Sequence, residues 1–237
     1  MIRDEMLLRL EEPTEWDIII IGGGATGLGA AVDAASRGYK TLLLEQHDFA
    51  KGTSSRSTKL VHGGVRYLAQ GNIKLVKEAL RERGILLRNA PHVTNNVSFV
   101  MPSWHWWEKY YYGIGLKIYD LLAGKLGLGK TEILSKKSTI NYLPTINSKG
   151  MSGGVVYHDG QFDDSRLAIN LAQTAAEQGA AVINYCKVVG LRKGIKKIIG
   201  VFAQDVLNGK EYELKCKVVI NATGVFTDDI LKMDDKE

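Results

Sequence analysis

The sequence predicts an α/β fold built on a parallel sheet, and three observations carry that prediction. A strand, a helix and a second strand fit between Asp17 and Glu45. A glycine-rich turn, Gly22–Gly27, joins the first strand to the helix. A last apolar strand, Val218–Asn221, leads into a second small-residue turn, Ala222–Gly224. Strand–helix–strand in about thirty residues is one βαβ unit, whose crossover makes the two strands parallel.

Each element has its own warrant. Asp17–Ile21 is a short, β-branched apolar run, the pattern of a strand buried on both faces. Leu28–Arg37 is rich in small helix-tolerant residues, and Gly38 ends it. Lys40–Glu45 is the next strand. Asn72–Asn89 reads as a helix with Ile73, Val76, Leu80 and Leu87 at helical spacing, stopped by Pro91. Val97–Met101 and Gly154–Tyr157 read as strands, and Gly124–Ser148 as loops and short pieces. Asp164 is placed to cap a helix from Ser165 to about Gln178, with Leu167, Leu171, Ala172 and Ala175 as its apolar stripe and Gly179 at its end. From Ala181 to Lys217 short strands alternate with turns at Lys193-Gly194 and Asn208-Gly209, the second a strong hairpin signal. The basic group Arg192, Lys193, Lys196 and Lys197 falls on the first of these turns, as a solvated loop.

The glycine turn carries the chemistry. Gly22 permits the tight turn, Gly24 lets backbone approach a pyrophosphate, and Gly27 lets the helix pack against the strand. The helix start, Ala25 and Thr26, then offers N–H groups and the positive end of the helix dipole to phosphate. Glu45 ends the second strand, where a carboxylate can accept hydrogen bonds from ribose hydroxyls, with Gln46 beside it. This arrangement predicts a Rossmann-like domain for FAD or NAD(P). The loop Gly52–Tyr67 narrows the choice to FAD. Its small donors Thr53, Ser54, Ser55 and Thr58 suit phosphates and a ring edge, and Gly63-Gly64 would let backbone lie against a flat ring. An ordinary polar loop would not need Lys59, His62, Arg66 and Tyr67 clustered after it.

Bulk properties bound the rest. The chain has 237 residues, enough to bury a core, with 45% hydrophobic and 24% charged residues, as in ordinary globular proteins. No uninterrupted apolar run approaches the roughly 20 residues a membrane-crossing helix needs. Met1–Met6 is too acidic and mixed for a signal peptide, so the protein is expected to be cytoplasmic. A net charge of +5 suits contact with anionic lipid or an anionic substrate but is too small to argue for nucleic acid. Cys186 and Cys216 are expected to be buried thiols, and no metal-ligand spacing appears. Gly124–Thr131 fits the Walker A expression letter for letter. A P-loop needs a strand before it and a helix after it, whereas Leu116–Leu122 reads as an amphipathic helix, so a flexible loop is expected. The sequons at Asn96 and Asn221 are expected to be chance matches. The aromatic run Trp104–Tyr112, with Lys109 and Lys117, admits two readings: a lipid headgroup contact or packing inside the inserted domain.

The stretch Ser54-Ser55 with Lys59–Leu68 resembles the signature of FAD-dependent glycerol-3-phosphate dehydrogenases, within the D-amino-acid-oxidase-like group. Tyr157 with Asp163–Leu167, and Asn221–Gly224, fall where that family has matching segments. The resemblance runs from about Asp17 to the end, departing locally where Val225-Phe226 replaces the common Pro-Trp. It implies hydride transfer from C2 of sn-glycerol 3-phosphate to flavin N5, giving dihydroxyacetone phosphate, with electrons passed to quinone. The alternatives are an oxidase using oxygen and an incomplete FAD-binding fragment. The resemblance further implies flavin contacts from Thr58, Lys59, Leu60, His62, Gly63, Gly64, Ala222, Thr223 and Gly224, an adenine contact through the Val188 backbone, and substrate-side roles for Arg66 and Tyr67. Peripheral contact on the inner face of the cytoplasmic membrane and a homodimer accompany it. The expected organisation is a tail at 1–15, an FAD-binding domain from 16–91 and 153–237, and part of a substrate or cap domain at 92–152. Because the family continues well beyond the Ala-Thr-Gly triplet, the chain is expected to hold a nearly whole cofactor cradle, an incomplete active site and little turnover.

Overall fold

The computed structural model describes residues 1–234; residues 235–237, the last of the expected FAD-binding segment, lie outside the described residues. In chain order the elements are α1 (Arg3–Glu11), β1 (Glu15–Ile21), α2 (Ala25–Ser36), β2 (Thr41–Leu44), β3 (Leu60–Val61), α3 (Val65–Ala69), α4 (Ile73–Asn89), β4 (Thr94–Ser103), α5 (Glu108–Ala123), β5 (Glu132–Ser135), α6 (Lys136–Tyr142), β6 (Gly153–Phe162), α7 (Asp164–Glu177), β7 (Ala181–Ile183), β8 (Cys186–Lys193), β9 (Ile198–Asp205), β10 (Glu211–Asn221) and α8 (Thr227–Asp234). They form two compact units. The first comprises Met1–Ser57 and the described residues from Asp164 onward; the second is Thr58–Asp163. The boundaries between compact units thus fall at 57/58 and 163/164, whereas the sequence puts its domain divisions at 91/92 and 152/153.

The first unit is organised on a six-stranded sheet in the order β7-β2-β1-β10-β9-β8. The first four strands run parallel and the last three form an antiparallel meander, with β10 shared between the two. Val218–Asn221, expected as a separate strand, is the second half of β10. Its first half pairs with β9 and its second half with β1, so one long strand carries the chain from hairpin to cofactor turn. The apolar runs are buried as their composition requires: Ile19, Ile20, Leu42 and Leu43 have no exposure. Alanines 31, 168, 172 and 175 are also fully buried in this core, and small side chains let α2 and α7 approach closely. Residues 1–15, expected as a tail, contain α1, which buries Met6, Leu7 and Leu10 in the same core. Arg3 adds an ion pair to the buried carboxylate of Asp205 at 2.8 Å. Hydrophobic periodicity over so short a helix is weak, which is why it went unread.

The second unit is organised on an antiparallel sheet in which β6 pairs with β4 on one side and with β3 and β5 on the other. Asn72 caps α4 by accepting from the Leu75 N–H at 3.2 Å. The buried face of α4 is Val76, Leu80, Arg83 and Gly84, while Ile73 is exposed. The hydropathy stripe includes Val76 and Leu80 but not Arg83, because a charged residue does not read as part of a buried face. Gly124–Ser148 is more ordered than expected, since it contains β5 and α6, the latter capped by the Ser135 hydroxyl. The Walker-like run Gly124–Thr131 follows helix α5 and leads into strand β5, the reverse of the order a P-loop needs. The aromatic run does not pack a core: Trp104, Trp106, Trp107 and Tyr110–Tyr112 are all exposed, Trp106 by 74%.

Candidate functional site

The glycine turn leaves β1 at its carboxyl end, where parallel sheets place their ligands. Gly22 holds φ at +114°, a backbone that side chains rarely adopt, and a Cβ there would lie 2.6 Å from the Ala222 carbonyl oxygen. A Cβ on Gly27 would come within 2.0 Å of the Gly22 carbonyl oxygen, so the first turn of α2 lies directly on the backbone of the glycine turn. Gly24 is the N-cap of α2 and brings no capping side chain. The Ser54 hydroxyl takes that part, accepting from the Ala25 N–H at 2.9 Å. Glu45 closes the turn onto the end of β2. Its Oε2 accepts from the Gly23 N–H at 2.7 Å and its Oε1 from the His47 N–H at 2.8 Å. A carboxylate has about four lone-pair sites, so both oxygens retain capacity for ribose hydroxyls.

These residues border a cavity of about 700 Å³ in the first unit, within the roughly 300–1,000 Å³ range of small-molecule sites. Gly22, Gly24, Ala25, Thr26, Glu45, Gln46, Thr53, Ser54, Val188, Ala222, Thr223 and Gly224, all anticipated, line it together. Gly27 supports the turn from below, and Ser55 ends the short 3-10 turn Thr53–Ser55. Two residues further on, Asp164 Oδ2 accepts from both the Ser57 N–H and its hydroxyl. The sequence reading missed Lys51, Arg56 and Lys187, cations on the cavity wall, and the α8 residues Asp229, Ile230 and Met233. Arg56 lay within the flagged loop and Lys187 beside Val188, so both were within reach; α8 carries no motif. Asn221 begins the family-like segment Asn221–Gly224, but its part in the turn is visible only in the fold. Asn221 Oδ1 accepts from the Thr223 N–H and hydroxyl, and its Nδ2 donates to the Thr227 carbonyl, so it shapes the Ala-Thr-Gly turn. The arrangement fits an adenine dinucleotide: a glycine turn with no room for a Cβ at Gly22 or Gly27, a helix start, an acid at the second strand end and cations for a pyrophosphate.

Cys186 and Cys216 are buried thiols. Burial, with the Asp205 charge nearby, pushes Cys186 up to about 12, and burial pushes Cys216 up to about 11. Neither is poised as a thiolate.

Thr58, Lys59, Leu60, His62, Gly63, Gly64, Arg66 and Tyr67 belong to the second unit. Leu60 lies in β3, and the Lys59 carbonyl accepts from the Phe162 N–H at 2.9 Å. Gly63 and Gly64 are buried; Gly64, in the left-handed region at φ +73°, is the N-cap of α3. Its N–H donates to His62 Nδ1 at 3.1 Å. Arg66 and Tyr67 ride on the single turn of α3 with exposed side chains.

A family model of FAD dependent oxidoreductases, the DAO family, matches residues 17–237. The chain belongs to that family. Among curated relatives of this FAD oxidoreductase chain, the mitochondrial glycerol-3-phosphate dehydrogenase of Macaca fascicularis is 47% identical over 99% of the chain, and that of Schizosaccharomyces pombe 45% identical over 98%. The matches cover 34% and 37% of those proteins, so the chain spans about a third of the length of the curated relatives it matches. Among solved structures, the glycerol-3-phosphate dehydrogenase of Bacillus halodurans complexed with FAD superposes with a TM-score of 0.74 at 33% identity, covering 97% of this chain and 38% of that one. FAD is the cofactor of the family. Among the described residues, no helix is long and apolar enough to cross a membrane.

Proposed function

We propose that the first unit holds the adenosine and pyrophosphate parts of FAD. We propose further that the full-length protein to which this chain corresponds oxidises sn-glycerol 3-phosphate to dihydroxyacetone phosphate and passes the electrons to quinone. The observation that carries the cofactor reading is convergence. Gly22 with Gly24–Thr26, Glu45–Gln46 with Thr53–Ser54, and Ala222–Gly224 come from distant parts of the chain and line one cavity. When bound, the flavin supplies a hydride acceptor and an electron outlet.

The chain's own residues bind and orient. The start of α2 and the Ser54 hydroxyl receive the pyrophosphate, with Lys51, Arg56 and Lys187 available to balance its charge. Glu45 accepts from ribose hydroxyls, and the Val188 backbone meets the adenine. Thr58, Lys59, Leu60, His62, Gly63 and Gly64 serve the flavin portion. Arg66 offers a forked donor to phosphate or developing carbonyl, with Tyr67 beside it. These assignments rest on the motif match and on the identity to glycerol-3-phosphate dehydrogenases. Peripheral membrane contact belongs to the same reading. It is supported by the exposed Trp104, Trp106 and Trp107, with Lys109 and Lys117 following in the sequence, since indole rings and lysines suit a headgroup layer.

The test is anaerobic addition of sn-glycerol 3-phosphate to the full-length flavoprotein, followed by reoxidation. Bleaching of the flavin, then faster recovery with a quinone analogue than with oxygen, is expected. No bleaching contradicts the substrate; faster recovery with oxygen makes the protein an oxidase.

A further inference from the structure

Behind the His62–Gly64 turn lies a buried polar cluster that the cofactor reading does not use. Arg83, Tyr119 and Asp159, from α4, α5 and β6, are each 3% exposed or less. Arg83 Nη1 donates to Asp159 Oδ1 at 2.8 Å, and Arg83 Nη2 to the Leu126 carbonyl at 3.2 Å. The Tyr119 hydroxyl donates to Asp159 Oδ2 at 2.9 Å and accepts from the Gly63 N–H at 2.7 Å. A phenol has one proton to give, and Asp159 takes it. The hydroxyl therefore faces Gly63 as an acceptor alone. Burial and the Asp159 charge both push the Tyr119 phenol up, which keeps that proton in place.

Stability does not explain the cluster, because apolar residues of similar volume generally replace a buried ion pair at no cost. What an apolar core could not supply is an acceptor for the buried Gly63 N–H. The contact is also tight: a Cβ on Gly63 would lie 2.4 Å from both the Tyr119 hydroxyl and a Leu80 methyl. Position then passes along the turn. Gly64 follows Gly63, and its N–H donates to His62 Nδ1, which ties the ring to the turn.

We propose that Tyr119 is a positioning residue for the His62–Gly63–Gly64 turn, with Asp159 and Arg83 fixing the direction of its hydroxyl. The consequence for cofactor binding rests on the reading that this turn serves the flavin; the anchoring itself does not.

The test combines amide hydrogen exchange with FAD titration in the full chain, wild type and Tyr119→Phe. In the wild type, the Gly63 amide is expected to exchange as slowly as the amides of β6. In Tyr119→Phe, exchange at residues 62–64 is expected to quicken about tenfold while β4 and β6 keep their rates, FAD to bind about fivefold more weakly, and the visible band of bound flavin to change shape, as loss of one buried hydrogen bond implies. A wild-type Gly63 amide that exchanges like an open loop overturns the proposal without any variant. So does a Tyr119→Phe chain that quickens evenly throughout the second unit, or that binds FAD with unchanged affinity and spectrum when the wild type binds it. A wild type that takes up no FAD counts against the cofactor reading instead, and the exchange data still decide the anchoring.

Discussion

The turn at Gly22–Gly27 and the turn at His62–Gly64 both depend on glycines that could not carry a Cβ, yet their surroundings differ in kind. The first is held mainly by backbone and by one carboxylate at the end of the adjacent strand: the Leu44 carbonyl accepts from Gly22, and Glu45 accepts from Gly23. The second is backed by side chains remote from it, Tyr119 directly and Asp159 and Arg83 behind it. A turn made by absence is robust wherever its glycines are kept. A turn anchored by a buried side-chain cluster loosens when a member of the cluster is lost. The two units should therefore respond differently to substitution.

The largest effect is expected in the second unit. Asp159→Ala leaves the Arg83 guanidinium buried and unpaired, which should cost about 3–5 kcal/mol of stability. Denaturant unfolding followed by exchange at β4 and β6 would register it, and a loss below 1 kcal/mol (about fivefold in the folded ratio) would mean that the cluster is solvated in solution. Next comes Gly27→Ala, where the new methyl meets the Gly22 carbonyl. Overpacking of about 2–3 kcal/mol and loss of FAD binding are expected, with the second unit unchanged. Binding retained at wild-type affinity would remove the glycine turn from the cofactor site.

A smaller effect tests the buried carboxylate Asp205, which pairs with Arg3 of α1. Burial pushes Asp205 up, but the Arg3 hydrogen bond, the Leu207 N–H and the Arg3 charge outweigh it and hold the carboxyl below its usual value. A group lowered on folding stabilises above its unfolded value, about 4, and loses that contribution as pH falls through the lower folded value. Arg3→Ala should therefore cost about 2 kcal/mol at neutral pH, with the gap to wild type closing on acidification. A gap that widens in acid would reverse the assignment. The smallest effect is expected at Lys130→Ala, in the Walker-like loop: stability within about 0.5 kcal/mol of wild type and no change in nucleotide binding by equilibrium dialysis.

The same contrast explains what the sequence made legible. Spacing alone exposes the glycine turn, Glu45 and the βαβ unit, because all three fall within the single stretch Asp17–Glu45. The Ala-Thr-Gly triplet was legible as a motif, but the part Asn221 plays in shaping it was not, since only the folded turn brings its amide to Thr223 and Thr227. Arg83 hid for the opposite reason: a charge on the buried face of α4 reads as surface until Asp159, 76 residues on, is placed beside it. Helix α1 and strand β5 were too short for periodicity to reveal.

The central claim is that the first unit is an FAD cradle, and it is tested most directly by titrating the purified chain with FAD and following its visible absorption and fluorescence. Saturable uptake of one FAD per chain, lost in Gly27→Ala and kept in Lys130→Ala, is the outcome expected. A chain that stays colourless and gains no flavin, although folded by circular dichroism, would contradict it.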